Sequence, residues 1–308
     1  MIAKACEEGL ATKIFTNQFN DHENILHIAC EKGDMKLVKI LIDCDCDPDS
    51  KSRYEKTPLM CASENGHLEL VKYLISEGAE KDLQDRDEMT AFMYASKKGH
   101  FDIVQYLLSE GVKYDFKDKY GNTPLICAAQ FGHLEIVKCF KSIGISITAV
   151  NNNKWTALHR ASEKGHLEVV KYLIAEGASI YAREYFGWTP LMCAASHGHL
   201  DVVQYLVSVG SDKEATNKDG YTPLISAAFN GHLEVVKYLI SVDANSEAKT
   251  KDGSNALMKA SAYGHLNVVQ YLISIGGNLE TKNIRGETAL SVAKDQAIID
   301  CLTSAGAK

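Results

Sequence analysis

The sequence has no cluster of lysine or arginine: 33 basic residues are scattered among 40 acidic ones, leaving a formal charge of −7. Affinity for nucleic acid comes mostly from neutralised phosphates, and anionic membrane surfaces also recruit clustered cations, so neither partner is expected. No apolar run has the length that crosses a bilayer. Met1 to Gly9 carry Glu7 and Glu8 and lack the apolar stretch of a secretion signal, which places the chain in the cytosol, with the nucleus as the alternative.

Nor do the cysteines make a secreted framework. There are nine, and Cys61, Cys127 and Cys193 fall two repeat periods apart, too far for the short Cα separation of a disulfide, so free thiols are expected. The chain also lacks a phosphate-cradling loop, a Gly-x-Ser-x-Gly elbow and a spare pair of carboxylates. An enzyme, a cofactor and a metal are therefore not expected.

What the sequence does contain is a clock. Gly-His followed by Leu or Phe recurs every 33 residues, at Gly66, Gly99, Gly132, Gly165, Gly198, Gly231 and Gly264, without an insertion. A fixed period of this length means one supersecondary unit stacked on copies of itself. Because the lattice is uniform and leaves no loop to lid a pocket, any function has to lie where the copies differ.

Residues 57–89 show the unit. Thr57 and Pro58 read as an N-cap with proline at the first helical position. Leu59, Ala62 and Ser63 mark the packed face of a short helix that Gly66 ends. Leu68, Val71, Leu74 and Ile75 then have amphipathic helical spacing, closed by Gly78, and an extended turn runs from Ala79 to Met89.

This turn, the Thr-Pro-Leu opening, the Gly-His-Leu middle and the Gly-Ala close resemble the ankyrin repeat over nearly the whole chain. The resemblance implies an all-α solenoid of helix pairs joined by β-hairpin-like turns. Opening boxes at Asn24, Thr57, Thr90, Thr123, Thr156, Thr189, Thr222, Asn255 and Thr288 give nine units. The expected organisation is one domain over 1–308: a capping half-repeat at 1–18, with Ala5 to Phe15 helical, eight repeats at 19–278, and a capping repeat at 279–308 that has lost the Gly-His-Leu triplet. Atypical end units suggest an array complete at both ends.

Four departures and coincidences need a physical reading. The family's box histidine survives only as His27 and His159, with Met60, Met93, Ile126, Met192, Ile225 and Met258 elsewhere, so a polar bridge between repeats gives way to apolar packing. The turn glycine becomes Glu55, Glu88 and Lys154 in three copies, each costing roughly 1 kcal/mol if the left-handed turn is kept. The seven Gly-His histidines cannot share a metal, because stacked helices stand about 8–10 Å apart and zinc needs its ligands at about 2 Å. The acidic run from Asp43 to Asp49 fails as a calcium loop, since Pro48 and Tyr54 occupy the places of the obligatory glycine and glutamate.

The irregular positions carry the functional expectation. The residue before each opening box reads Glu23, Lys56, Met89, Asn122, Trp155, Trp188, Tyr221, Ser254 and Glu287, so both tryptophans of the chain fall in adjacent repeats. Tyr120, Phe131, Arg160, Tyr185, Phe186, His197 and Phe229 lie around them at the tips and first helices of repeats four to seven, with Tyr263 at the end of the first helix of the next repeat. Aromatics and arginine dominate interface hot spots. The resemblance implies partner binding by the tips and the concave face of the first helices. The expected function is a protein-binding scaffold or adaptor, monomeric, with a surface on the order of 90 Å long. The alternative is a self-associating array that dimerises through the same patch.

Overall fold

A computed structural model of the chain describes residues 14–16 and 22–308. It falls into two compact units, residues 1–152 and 153–308. In the first, strands β1 (Ile14–Thr16) and β2 (His22–Asn24) form an antiparallel hairpin with Phe15 opposite Glu23. The helix expected at Ala5 to Phe15 lies mostly outside the described residues, but its last two positions are corrected: Ile14 and Phe15 are strand, paired across the hairpin that leads into the first helix pair.

Four helix pairs follow in that unit: α1 (Ile25–Lys32) with α2 (Met35–Asp43), α3 (Pro58–Glu64) with α4 (Leu68–Ser76), α5 (Ala91–Lys98) with α6 (Phe101–Ser109), and α7 (Pro124–Gln130) with α8 (Leu134–Ser142). The second unit repeats the pattern in α9 (Ala157–Lys164) and α10 (Leu167–Ala175), α11 (Pro190–Ser196) and α12 (Leu200–Ser208), α13 (Pro223–Phe229) and α14 (Leu233–Ser241), α15 (Ala256–Ala262) and α16 (Leu266–Ser274). It ends in the short α17 (Ala289–Val292) and α18 (Gln296–Ser304). Within each unit, first helices pack on first helices and second helices on second helices.

Local chemistry starts and stops these helices as the spacing predicts. Thr57 Oγ1 accepts the Met60 N–H at 3.3 Å, and Thr222 Oγ1 accepts that of Ile225 at 3.2 Å, satisfying helix N-termini that would otherwise be orphaned. The core is the periodic set itself: Leu59, Ala62, Val71 and Leu74 in one repeat are all fully buried, as are Leu224, Ala227, Val236 and Leu239 five repeats on. Glu55, Glu88 and Lys154 do keep the left-handed turn, with φ of 62°, 61° and 63°. Asp45 also takes the left-handed conformation at φ 61°, so the acidic run is a structural turn. Asp49 caps the adjoining strand of chain by accepting the Glu80 N–H at 3.0 Å.

The Gly-His pair locks one repeat to the next. His100 Nε2 donates to the Glu64 carbonyl at 2.9 Å, and His232 Nε2 to that of Ser196 at 3.0 Å, each reaching the C-terminus of the preceding first helix. The imidazole lies in the space that a Cβ would take: one built on Gly66 would stand 2.6 Å from the His100 ring. The same bond recurs from His67, His133, His199 and His265. These histidines are inter-repeat ties.

Candidate functional site

Each repeat ends in a tip whose backbone is organised by one side chain. Asp85 Oδ1 accepts the N–H groups of Asp87 and Met89, both at 2.9 Å, and Asp118 Oδ1 accepts those of Tyr120 and Asn122. In the second unit Glu184 Oε1 serves Phe186 and Trp188 at 2.6 and 3.0 Å, and Asn217 Oδ1 serves Asp219 and Tyr221, both at 2.9 Å. Successive tips are joined by backbone bonds, Tyr185 N–H to Asn153 O at 2.9 Å and Lys218 N–H to Phe186 O at 2.8 Å. The aromatic tips therefore ride on a hydrogen-bonded rail rather than on free loops.

Trp188 is the best anchored of them. Its carbonyl accepts both the Glu184 N–H at 3.1 Å and Nε2–H of the fully buried His159 at 3.1 Å. His27 makes the equivalent bond to the Lys56 carbonyl at 2.8 Å in the first unit, so the two surviving box histidines both hold the residue before the next box. Burial drives the His159 pKa down to about 4, against the opposing pull of its bonds to Trp188 and Ala182. At neutral pH the ring is uncharged, with Nε2–H donated to Trp188.

Two clefts open on either side of Trp188. The first, of about 370 Å³, has Trp155, Phe186 and Trp188 as walls and Glu163, Glu184, Cys193, Ser196, His197 and Asn153 around them. The second, of about 390 Å³, is walled by Phe186, Trp188, Tyr221 and Phe229, with Ser196, Asn217, Asp219, Ser226 and Asn230. Every residue of the second stands 33 positions after one of the first: Trp155 becomes Trp188, Trp188 becomes Tyr221, Glu163 becomes Ser196, Glu184 becomes Asn217, and Cys193 becomes Ser226. The groove repeats with the fold while its chemistry changes.

Charge distinguishes the two. Arg160 lays its guanidinium 4.2 Å from the Trp155 ring and donates to Glu163 Oε2 at 3.0 Å, while Glu163 Oε1 has Lys164 and His197 only at 3.7 and 3.9 Å. Burial pushes the Cys193 thiol pKa well up, so it lines the first cleft as a neutral group. Beyond the second cleft, Lys259 Nζ stands 5.4 Å over the Tyr221 ring and 2.8 Å from Asp252. Burial works to raise the Asp252 pKa, but hydrogen bonds from Lys259, Thr250 and Ser254 outweigh it and hold that carboxyl below the usual range.

The structure thus brings together most of the residues expected to bind. Trp155, Phe186, Trp188 and His197 share the first cleft, and Arg160 backs it. Tyr221 and Phe229 line the second, and Tyr263 extends it, its ring tilted by 50° against Phe229 at 4.2 Å between centroids. Tyr185 turns its edge to Phe186 and its face to Lys218, 54 % exposed. Tyr120 and Phe131 belong to the first unit, where Lys119 stands over Tyr120 and Phe131 stacks on His133. Glu163, Glu184, Ser196 and Asn217 were missed by a search for aromatics; their only sequence signal is position, one repeat apart on the helices and turns that flank the tryptophans.

A family model of ankyrin repeats (3 copies) matches residues 2–85, 70–151, 92–184, 138–217, 180–250, 198–284 and 242–308 in overlapping windows. The chain belongs to the ankyrin-repeat family, and its fold is the all-α repeat solenoid. Ankyrin repeats are in general modules of protein–protein interaction. A comparison with curated proteins found no match. Among the described residues, no helix is long and apolar enough to cross a membrane.

Proposed function

We propose that the chain is a non-enzymatic scaffold or adaptor, and that it docks a protein partner on the tips and first helices of the second unit. One observation carries this reading: two adjoining clefts share the anchored Trp188 and are walled by the aromatic types that concentrate binding energy. Such walls, rigid before the partner arrives, lose little conformational freedom on binding. The test is selection of random displayed peptides on the full chain, followed by titration against the double variant Trp155→Ala/Trp188→Ala. With an unchanged melting temperature, the double variant should weaken binding by about tenfold or more; undiminished affinity would remove the site.

A further inference from the structure

We infer that the two clefts are successive side-chain subsites for an extended peptide, the Trp155–Trp188 cleft taking an arginine or lysine and the Trp188–Tyr221 cleft a tyrosine-like side chain three residues away. The inference rests on the docking reading above and adds the chemistry and spacing of its occupant.

The basic residue follows from charge. Among the residues lining the first cleft, Glu163 and Glu184 are the carboxylates, and neither lysine nor arginine is among them. Arg160 occupies Glu163 Oε2, but among the described residues Oε1 has no donor within hydrogen-bond distance, the nearest cations being 3.7 and 3.9 Å away. The Glu163 side chain is only 14 % exposed, where a charge-assisted bond from a guest is worth more than one in open water. Arg160 already lies on the Trp155 ring, so the indole that favours the same guest is Trp188, because a cation is attracted to the aromatic face.

In the second cleft the two carboxylates are gone. Ser196 and Asn217 stand at the places of Glu163 and Glu184, leaving Asp219 on the tip as the carboxylate of this lining, and Tyr221 and Phe229 supply aromatic walls beside the neutral hydrogen-bonding groups. A ring carrying a hydroxyl matches both. The spacing follows from the repeat: stacked helices are about 8–10 Å apart, and an extended polyproline-like chain rises about 9 Å in three residues. Side chains at i and i+3 thus lie on one side of the peptide and reach neighbouring subsites.

The experiment uses the full chain and fluorescein-labelled peptides Gly-Ser-Arg-Pro-Ala-Tyr-Ser-Gly and Gly-Ser-Tyr-Pro-Ala-Arg-Ser-Gly, since either direction satisfies the geometry. In the better binder, replacing arginine by glutamine should weaken binding about tenfold, and moving tyrosine one residue nearer or further should also weaken it. Glu163→Gln should abolish the preference for arginine over glutamine. Asn217→Glu, which carries the first cleft's Glu184 carboxylate into the second cleft and leaves the Arg160 pair intact, should shift the preference at i+3 from tyrosine to arginine. Equal binding of the arginine and glutamine peptides, a preference that survives Glu163→Gln, or no binding of either peptide at millimolar concentration would overturn the inference. If library-selected peptides without a basic residue still bind and are lost with Trp155→Ala/Trp188→Ala, the docking surface stands and this assignment alone falls.

Discussion

His159 is completely buried: Nε2–H donates to the Trp188 carbonyl, while Nδ1 accepts from the Thr156 N–H at 3.3 Å and lies 2.8 Å from Thr156 Oγ1. Protonating Nδ1 would bring a charge into the core, where burial penalises it, and would break the bond from the Thr156 N–H, leaving Thr156 Oγ1 as the nearby acceptor. The pKa accordingly falls from 6.5 to about 4 in the folded chain, so between those values the unfolded chain binds the proton and the native one resists it. Stability from this site is present above pH 6.5 and lost as pH falls toward 4, in all about 3 kcal/mol at about 1.4 kcal/mol per unit. His159→Met, which installs the residue found at Met60, Met93, Met192 and Met258, should therefore flatten the decline between pH 6.5 and 4 in urea titrations. A variant whose stability falls as steeply as the parent's would show that the ring is not the proton-binding group.

At the scale of the element, the Gly-His pair is one device rather than two residues. Gly198 takes φ 76° at the end of a first helix, and the His232 ring of the following repeat fills the space beside it while bonding the Ser196 carbonyl. Gly264 has the same backbone, φ 83°, but the next copy has Ile298 at the histidine's place and nothing stands within 4 Å. Gly264→Ala should thus cost about 1 kcal/mol, the left-handed penalty alone, whereas Gly198→Ala should cost about 2 kcal/mol or more, since the ring must also leave its hydrogen bond. Equal losses in denaturant midpoints would dismiss the interlock. Such devices are legible in sequence because a close backbone approach admits one residue type and the period repeats it. The tip acceptors were not legible: Asp85, Asp118, Glu184 and Asn217 share only the ability to accept from two N–H groups, and three residue types do that here. The clefts were half legible, their tryptophans by rarity, while Glu163 and Glu184 reach the same space from different repeats and look in sequence like ordinary charged residues.

At the scale of the whole molecule, the exposed aromatics raise the question of whether two copies join through them. Phe186 is 56 % exposed and Tyr263 57 %, enough to attract another apolar surface. Yet several ring faces of the second unit are already covered by its own cations, Arg160 on Trp155, Lys218 on Tyr185 and Lys259 on Tyr221. A two-fold contact presents the same patch to itself, so it would bring those cations near their own copies and set Glu163 and Glu184 against a second acidic cleft, a like-charge juxtaposition that costs affinity. A net charge of −7 adds long-range repulsion. The chain is therefore expected to sediment at micromolar concentration as a single species with the mass of one chain, at low and at physiological salt. A dimer that dissociates on Phe186→Ser would transfer the aromatic patch from partner docking to self-association, because only a copy seated on that patch would feel the loss of one exposed ring.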